Sequence, residues 1–312
     1  MNLRPALLPV GLLLAACSQP PAATAGPATT ADSASPAADG PANCRHHAPR
    51  ALELALDGVT SVSFEVGPDT LVLTGQEQAT GQLSGRACAA SADLLDGLQI
   101  TQQREGDQLR VKLEAPMRQG LSLGRERYAW LDLRGSLPAQ MPLSVQLGSG
   151  DVRLTGTGAL QARVGSGDLV ASRIGGPVQL TLGSGDVQID NASGLAATLG
   201  SGDLEASAIT GAVELTVGSG DVKLHGIGSL SIPALGSGDI QAGQINGDVS
   251  IGSVGSGDIQ LQTVTGSVRA QTIGSGELRV DQASGSLQVQ QLGSGEVKHN
   301  NIGGDVQLPR KP

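Results

Sequence analysis

The sequence predicts an all-β fold: a single-stranded parallel β-helix (β-solenoid) of about nine coils of about 18 residues each, with an N-terminal β-rich cap. The first observation is that Gly-Ser-Gly-Asp, or Gly-Ser-Gly-Glu in the last two copies, recurs nine times at intervals of 17–19 residues. The second is that apolar and polar residues alternate between the copies, as in strands with one buried face. A repeat of this length becomes stable only by stacking on its neighbours, so the copies should form successive coils.

Residues 203–218 illustrate one coil. Apolar residues alternate in two runs, 204–206 and 213–217, which predicts two short strands joined by glycine-containing corners. Between the runs, the residue six positions after the acid is apolar in most coils and is expected to face inward. Each strand should pair in parallel with its equivalent one coil away. The hexapeptide pattern of left-handed helices is missing, which favours a right-handed coil.

The coil length changes once within the repeats. From Pro233 onward, four coils carry one extra residue in their second strand. A single bulge would interrupt the ladders to its neighbours, so the extra residues predict a bulge that is stacked from coil to coil.

Stacking places the acid of every copy in one column. Neighbouring carboxylates about 5 Å apart repel by roughly 0.8 kcal/mol in water, so some interaction must offset this repulsion. Three interpretations are open: turn caps that accept backbone N–H groups, a calcium column, or an acidic strip that meets a basic partner. The corner glycines are expected to supply positive φ. The column comprises Asp151, Asp168, Asp186, Asp203, Asp221, Asp239, Asp258, Glu277 and Glu296.

The N-terminus has the features of an export signal. An apolar stretch follows Arg4 and is too short to span a bilayer. It ends in Leu-Ala-Ala-Cys, which resembles the lipobox of bacterial lipoproteins, so Cys17 is expected to be acylated after removal of the preceding residues. The alternative is an ordinary signal peptide with an incidental cysteine. By resemblance to lipoprotein sorting in Gram-negative bacteria, Ser18 at the next position implies the outer membrane and leaves the membrane face undetermined.

The sequence therefore divides into five parts. Residues 1–17 form the lipoprotein signal peptide, and 18–43 form a disordered Ala/Pro-rich tether. Residues 44–147 are expected to form a β-rich cap with seven strands, and turns are expected at sites such as Gly67-Pro68-Asp69. Residues 148–308 form the solenoid, and 309–312 are a tail that blunts its last edge. Cys44 and Cys88 are expected to form a disulfide, since the predicted compartment is oxidising.

Composition argues against several functional classes. The formal net charge is −9 with no basic stripe, so nucleic acid is not expected as a partner. No cofactor is implied and no catalytic residues are assigned, because His225 and His299 lie in different coils and the repeated serines offer no unique nucleophile. His46, His47 and Cys44 are residue types that bind metals. We interpret their proximity as chance, because Cys44 is expected to form the disulfide.

The repeats resemble a known family. Gly-Ser-Gly-Asp followed by Val, Leu or Ile, then Ile/Val-x-Gly-x-Val as in 255–268, resembles the bacterial putative-adhesin family that includes the auto-transporter adhesin head GIN domain. The resemblance covers about 51–308 and extends to the lead-in 137–145. It implies the β-solenoid fold and a role in adhesion, and it carries over no catalytic residue.

The function expected from these features is that of a non-enzymatic, membrane-anchored envelope lipoprotein that displays a solenoid surface as an adhesin or scaffold. Its partners would be the membrane, through Cys17, and a cell-surface or envelope protein or glycan. Two alternatives are a divalent-cation-binding or envelope-stress accessory protein and a β-helix polysaccharide-active enzyme. The second is disfavoured because the repeats lack aromatic side chains and long inserts.

Overall fold

A computed structural model describes residues 44–79, 81–115 and 128–310. The predictions for the signal peptide, Cys17 and the tether lie outside the described residues, as do the last two residues of the tail. The described chain is all-β apart from one short helix, and its repeats form the parallel β-solenoid of about nine coils that the sequence predicts. The hand of the coil stays a prediction.

Two sheets of 13 strands each enclose one apolar core. Sheet A contains, in spatial order, β1 (His46–Glu53), β4 (Gln82–Ala89), β7 (Ala129–Pro138), β3 (Thr70–Gln76), β9 (Asp151–Thr155), β11 (Asp168–Ser172), β13 (Asp186–Ala192), β15 (Asp203–Ile209), β17 (Val222–Ile227), β19 (Ile240–Ile245), β21 (Ile259–Val264), β23 (Glu277–Ala283) and β25 (Glu296–Ile302). Sheet B contains β26 (Val306–Gln307), β24 (Leu287–Leu292), β22 (Val268–Ile273), β20 (Val249–Val254), β18 (Leu230–Leu235), β16 (Val213–Val217), β14 (Gly194–Leu199), β12 (Pro177–Leu182), β10 (Leu160–Val164), β8 (Leu143–Leu147), β2 (Ser61–Val66), β6 (Gln108–Glu114) and β5 (Gln99–Glu105).

The N-terminal end of the solenoid differs from the repeats in its strand pairing. In the repeats every strand pairs in parallel with its equivalent, whereas β1, β4 and β7 pair antiparallel at one edge of sheet A, and β5 and β6 do so in sheet B. A five-residue helix, α1 (Ala92–Asp96), contacts β1 and β4. Strand β4 and this helix were not predicted, because the segment Gln-Leu-Ser-Gly-Arg-Ala-Cys-Ala shows no clean alternation. Strands β2 and β3 pair in parallel with β8 and β9, so the parallel ladders extend upstream of residue 148.

The corner formed by each Gly-Ser-Gly and its acid, the acid corner, needs glycine for steric reasons. The expectation of positive φ is wrong, because the glycines of these corners, all of them described, lie outside the left-handed region. Instead the coils approach so closely that a β-carbon on the second glycine would meet the carbonyl of the equivalent glycine below. At Gly220 that β-carbon would lie 1.9 Å from the Gly202 oxygen. The repeated tripeptide therefore marks a place where successive coils lie too close together to admit a β-carbon.

A second feature that recurs in every coil is a residue with left-handed φ five positions after the acid, which we call the left-handed position. Alternation alone would make the next residue face outward, and the left-handed residue reverses this, so the residue six positions after the acid turns into the core. That inward orientation was predicted, and Ile174, Ile209 and Ile245 are at most 2% exposed. The left-handed residues are Gly156, Arg173, Asn191, Ala208, Gly226, Gln244, Thr263, Gln282 and Asn301.

The predicted stacked bulge is confirmed in sheet B. The ladder between β16 and β18 shifts register after Glu214, where Pro233 becomes the extra residue. The later ladders continue with matched strands, so each extra residue lies beside the next: Pro233, Gly252, Gln271 and Gln290. The bulge costs the stack one register shift only, because every later coil repeats it.

Candidate binding surface

The outer face of sheet A carries the predicted acid column. Register pairs Asp151 with Asp168, Asp186 with Asp203, and Glu277 with Glu296. The remaining acids, Asp221, Asp239 and Asp258, occupy the same corner, one residue before β17, β19 and β21. Eight of the nine side chains are exposed and Glu277 is half-buried. The structure therefore brings all nine predicted residues into one line along the solenoid.

The carboxylates act mainly as caps between coils. From the fourth acid onward, each Asp Oδ1 accepts the backbone N–H of the next acid, at 2.9 Å from Asp203 to Asp221 and at 3.1 Å from Asp221 to Asp239. The series continues from Asp239 to Asp258 and from Asp258 to Glu277. In the earlier coils the N–H of Asp168 or Asp203 is instead donated to the carbonyl of the second glycine in the preceding corner, Gly150 or Gly185. Asp186 is the exception there, since its N–H lies 3.4 Å from Asp168 Oδ1. A charge-assisted hydrogen bond of this kind offsets the repulsion along the column.

Aspartate and glutamate are not equivalent in this column. Glu277 donates its backbone N–H to Asp258, but its own carboxylate, one methylene longer, pairs with the Lys298 ammonium. Glu296 then donates its N–H to the Gly276 carbonyl, and its carboxylate lies 3.4 Å from Lys298 Nζ. The hydrogen bond to Glu277 raises the pKa of Lys298 above its usual value. The C-terminal end of the column is therefore paired with the Lys298 ammonium group.

The column also extends beyond the repeats at its other end. Thr70 lies opposite both Asp151 and Asp132, and Asp132 lies opposite Arg86. Arg86 Nε is 3.9 Å from Asp132 Oδ2, and its guanidinium lies 5.4 Å from the centre of the Trp130 ring. The sequence analysis missed Asp132 and Arg86 because β4 and β7 lack the repeat motif. A line of acids, interrupted at Thr70, therefore runs along sheet A with a cationic side chain at each end.

The predicted disulfide is confirmed: Cys44 and Cys88 are bonded, with their α-carbons 5.7 Å apart. Cys88 is buried on β4, next to β1 and opposite Trp130 of β7. The bond therefore ties the chain just before β1 to the antiparallel end of sheet A. His46 and His47 lie exposed on β1, and the neighbouring cysteine is engaged in the disulfide.

One buried carboxylate was not predicted as special. Asp69 occupies the place of the second glycine in a corner one coil before Gly148, as the hydrogen bond from Asp151 N–H to the Asp69 carbonyl shows. Its side chain is fully buried, Oδ1 accepts the Leu131 N–H at 2.8 Å, and Oδ2 has no hydrogen-bond partner. Burial raises the pKa of Asp69 to about 6, and the hydrogen bond from the Leu131 backbone N–H opposes this shift.

The polar groups of sheet A are spread along a line from coil to coil. In the described ranges, no cluster of three or more His, Cys, Asp and Glu side chains could hold a metal ion. His225 lies outward on β17, and His299 takes a core-facing register position on the terminal strand β25, where it is exposed. A groove of about 640 Å³ runs across the carboxyl ends of adjacent strands of sheet B, from β6 to β12, and is lined by Val66, Leu113, Leu147 and Leu182 among others. Among the residues that the structure describes, no helix is long and apolar enough to cross a bilayer.

The outer face of sheet B differs in charge. From β12 to β26, its strands carry two charged side chains, Glu214 and Arg269, among Gln, Thr, Ser and Ala. The acidity of the repeats is therefore concentrated on sheet A and its corner.

Comparison with known families gives one partial match. Residues 98–231 are similar to the family model described as Toastrack DUF4097. That stretch covers the end of the antiparallel region and the first coils of the solenoid. No curated protein matches the chain.

Solved structures share similarity over most of the chain at low sequence identity. A putative lipid binding protein from Parabacteroides distasonis has 17% identity and a TM-score of 0.48, with 82% of this chain and 97% of the other covered. A putative adhesin from Bacteroides fragilis has 13% identity and a TM-score of 0.35, with 82% and 98% covered. A putative cell adhesion protein from Clostridium sporogenes has 9% identity and a TM-score of 0.28, with 84% and 99% covered.

Proposed function

We propose that this chain is a non-enzymatic lipoprotein of the bacterial cell envelope, anchored through acylated Cys17, that displays its β-solenoid as an adhesive or scaffold surface. The observation that carries the proposal is the outer face of sheet A. Its carboxylates bond to neighbouring coils and form a long, regular line, whereas a catalytic centre needs groups that converge on one position. A repetitive, extended face suits binding to a surface or to another extended molecule.

The sequence supports the anchor. The Leu-Ala-Ala-Cys motif and the Ala/Pro-rich residues 18–43 together resemble the leader and linker of a lipoprotein that is sorted to the outer membrane. At about 3.1 Å per residue, such a linker reaches roughly 80 Å when fully extended. The proposal therefore places the solenoid away from the bilayer, where its faces are accessible.

The anchor is tested by labelling cells that express the full chain with a clickable fatty acid, followed by membrane fractionation. The wild-type chain should carry label and sediment with outer membranes, and Cys17→Ser should lose the label. Label retained in Cys17→Ser would refute acylation at this residue. Protease shaving of intact cells then decides the face: loss of the intact band means exterior display, and protection means a periplasmic role.

The binding surface is tested separately. We expect the acidic face of sheet A to bind a basic patch on a cell-surface or envelope protein, with a glycan as the other class of partner. The full chain and a variant with Asp239→Asn and Asp258→Asn are used as baits on envelope extracts. Asparagine keeps a side-chain acceptor for the next N–H, so the fold is retained while two negative charges are removed from the face. Capture that is salt-sensitive and weaker with the variant supports the proposal, and equal capture by both baits contradicts it.

A further inference from the structure

The outer face of sheet B has a charge pattern that sheet A lacks. Over the strands from β12 to β26, the charged side chains are Glu214 on β16 and Arg269 on β22, and both are exposed. The formal net charge of the chain is −9, so two copies that met through their acidic faces would repel each other. Sheet B is therefore the face on which like copies can approach.

The two charges are symmetrically placed. Register puts them in one outward column with Ser231 and Ser250 between them. Reversing the direction of this column about the midpoint between the two serines exchanges Glu214 with Arg269. The outward column reads Gln179, Ala196, Glu214, Ser231, Ser250, Arg269, Gln288 and Gln307.

We infer that sheet B is the interface of an antiparallel homodimer. A two-fold axis parallel to the strands, between β18 and β20, places Glu214 of one copy against Arg269 of the other, twice. The same axis places Ser231 opposite Ser250 of the second copy. One copy's β26 end then lies beside β12 of the other, as an isologous contact requires. This inference concerns self-association and stands independently of the proposed anchoring.

The shape of the face supports the same axis. A depression of about 310 Å³ lies on sheet B over β10 to β16, and its lining includes the short side chains of Ala196 and Thr198. Longer side chains also line it, among them the charged Arg163 of β10 and Glu214 of β16. The axis brings this depression opposite β24, whose outward residues are the long side chains Gln288, Gln290 and Gln291. Small residues on one half of the face therefore meet large residues on the other half.

The area is adequate for a specific dimer. Eight strands, spaced by about 4.8 Å and about 17 Å long, cover roughly 650 Å² per copy, or about 1,300 Å² in total. This falls in the range of about 1,200–2,000 Å² of stable interfaces. Within one copy, Arg269 Nη1 lies 3.9 Å from Asp248 Oδ2, and both side chains are more than half exposed. That contact is too long and too exposed to hold Arg269 away from a partner carboxylate.

The first test is crosslinking in intact cells that express the full chain, so that it does not depend on membrane anchoring. Ser231→Cys places a thiol beside the axis, and a short bis-maleimide should join two copies. Gln241→Cys, exposed on sheet A, is the matched control and reports crosslinking through any other cysteine. The dimer band should be about tenfold stronger for Ser231→Cys. Equal bands for the two variants would overturn the proposal.

The second test reverses the charges in the Ser231→Cys background. Glu214→Arg alone and Arg269→Glu alone should each lower the crosslinked fraction by about fivefold or more, because each creates like-charge pairs across the axis. Combining both substitutions should restore it to within about twofold, since the pairs form again with reversed sign. Lys223→Glu on sheet A, the control, should have no effect. Single reversals that leave the dimer intact, or a double variant that fails to recover while its Cys44–Cys88 bond is still formed, would overturn this interface.

Discussion

The acid corner and the left-handed position constrain the chain in opposite ways. At the acid corner the backbones touch, so the residue type is nearly invariant while φ is ordinary. At the left-handed position φ is unusual in every coil, yet the residues include Arg, Asn, Ala, Gln and Thr. The sequence therefore repeats where the backbones of two coils are in close contact. Where only the backbone conformation repeats, the residue type varies from coil to coil. Substitutions at Gly220 and Gly226, six residues apart, can separate the two constraints.

The largest effect is expected at the second glycine of an acid corner. In Gly220→Ala the new β-carbon would lie 1.9 Å from the Gly202 carbonyl oxygen, and only a shift of the coils can relieve this contact. We expect a loss of about 3 kcal/mol in the free energy of unfolding, measured by urea denaturation. Ser219→Ala in the same corner, whose side chain is exposed, is the control and should change stability by less than about 0.5 kcal/mol. Similar values for both variants would mean that the close approach of the coils is not limiting.

The contribution of Asp69 to the free energy of unfolding should depend on pH. The folded pKa of about 6 lies above the ordinary value of 3.8, so Asp69 favours folding most below about pH 4. This contribution falls as the pH rises from about 4 to 6 and then stays low, because the unfolded state ionises first. Asp69→Asn keeps an acceptor for the Leu131 N–H and removes the buried charge. We expect it to be more stable than the wild type by about 1–2 kcal/mol at pH 7.5.

The pH profile is the decisive measurement for Asp69. The advantage of Asp69→Asn should shrink as thermal unfolding is repeated at lower pH, and it should vanish near pH 4. An exposed carboxylate, Asp93 on α1, provides the control, since Asp93→Asn should leave the profile unchanged. A gain that is independent of pH would show that burial of the charge is not its source.

These contrasts also show how far the sequence can predict the fold. The period of the repeat and the alternation of apolar residues were sufficient to predict the coils and the stacked bulge at Pro233. They also predicted the inward residue six positions after each acid, because all three features depend on apolar patterning. They gave no sign of the left-handed column, since no side-chain property is shared by Arg173, Ala208 and Thr263. Nor did they reveal the extension of the acid line to Asp132 and Arg86, because that depends on the register of β7 against strands distant in sequence.

The left-handed position should show smaller, reciprocal effects. Thr263 is β-branched with φ of 57°, so Thr263→Gly should relieve backbone strain and stabilise the fold by about 0.5–1 kcal/mol. Gly226 has φ of 66°, and a β-carbon there would meet no atom closer than 3.9 Å. Gly226→Ala should therefore destabilise by about 1 kcal/mol through conformation alone. The two signs are read from denaturation midpoints, and a loss at Gly226 as large as that at Gly220 would erase the distinction between the two constraints.

The smallest effect is expected for the side chains of the acid column, because they are exposed and water can replace them. Asp239→Ala removes the acceptor for the Asp258 N–H, whose hydrogen bond measures 3.1 Å, and should cost about 0.5 kcal/mol. Asp239→Asn retains an acceptor and should cost less. Glu296→Ala is the control within the same column: the bond it loses is the exposed pair with Lys298, so its effect should be close to zero. If all three variants lose stability equally, the column contributes through its charge and not through its caps. If Asp239→Asn is more stable than the wild type, repulsion between the carboxylates exceeds what the negative charge adds to the strength of the cap.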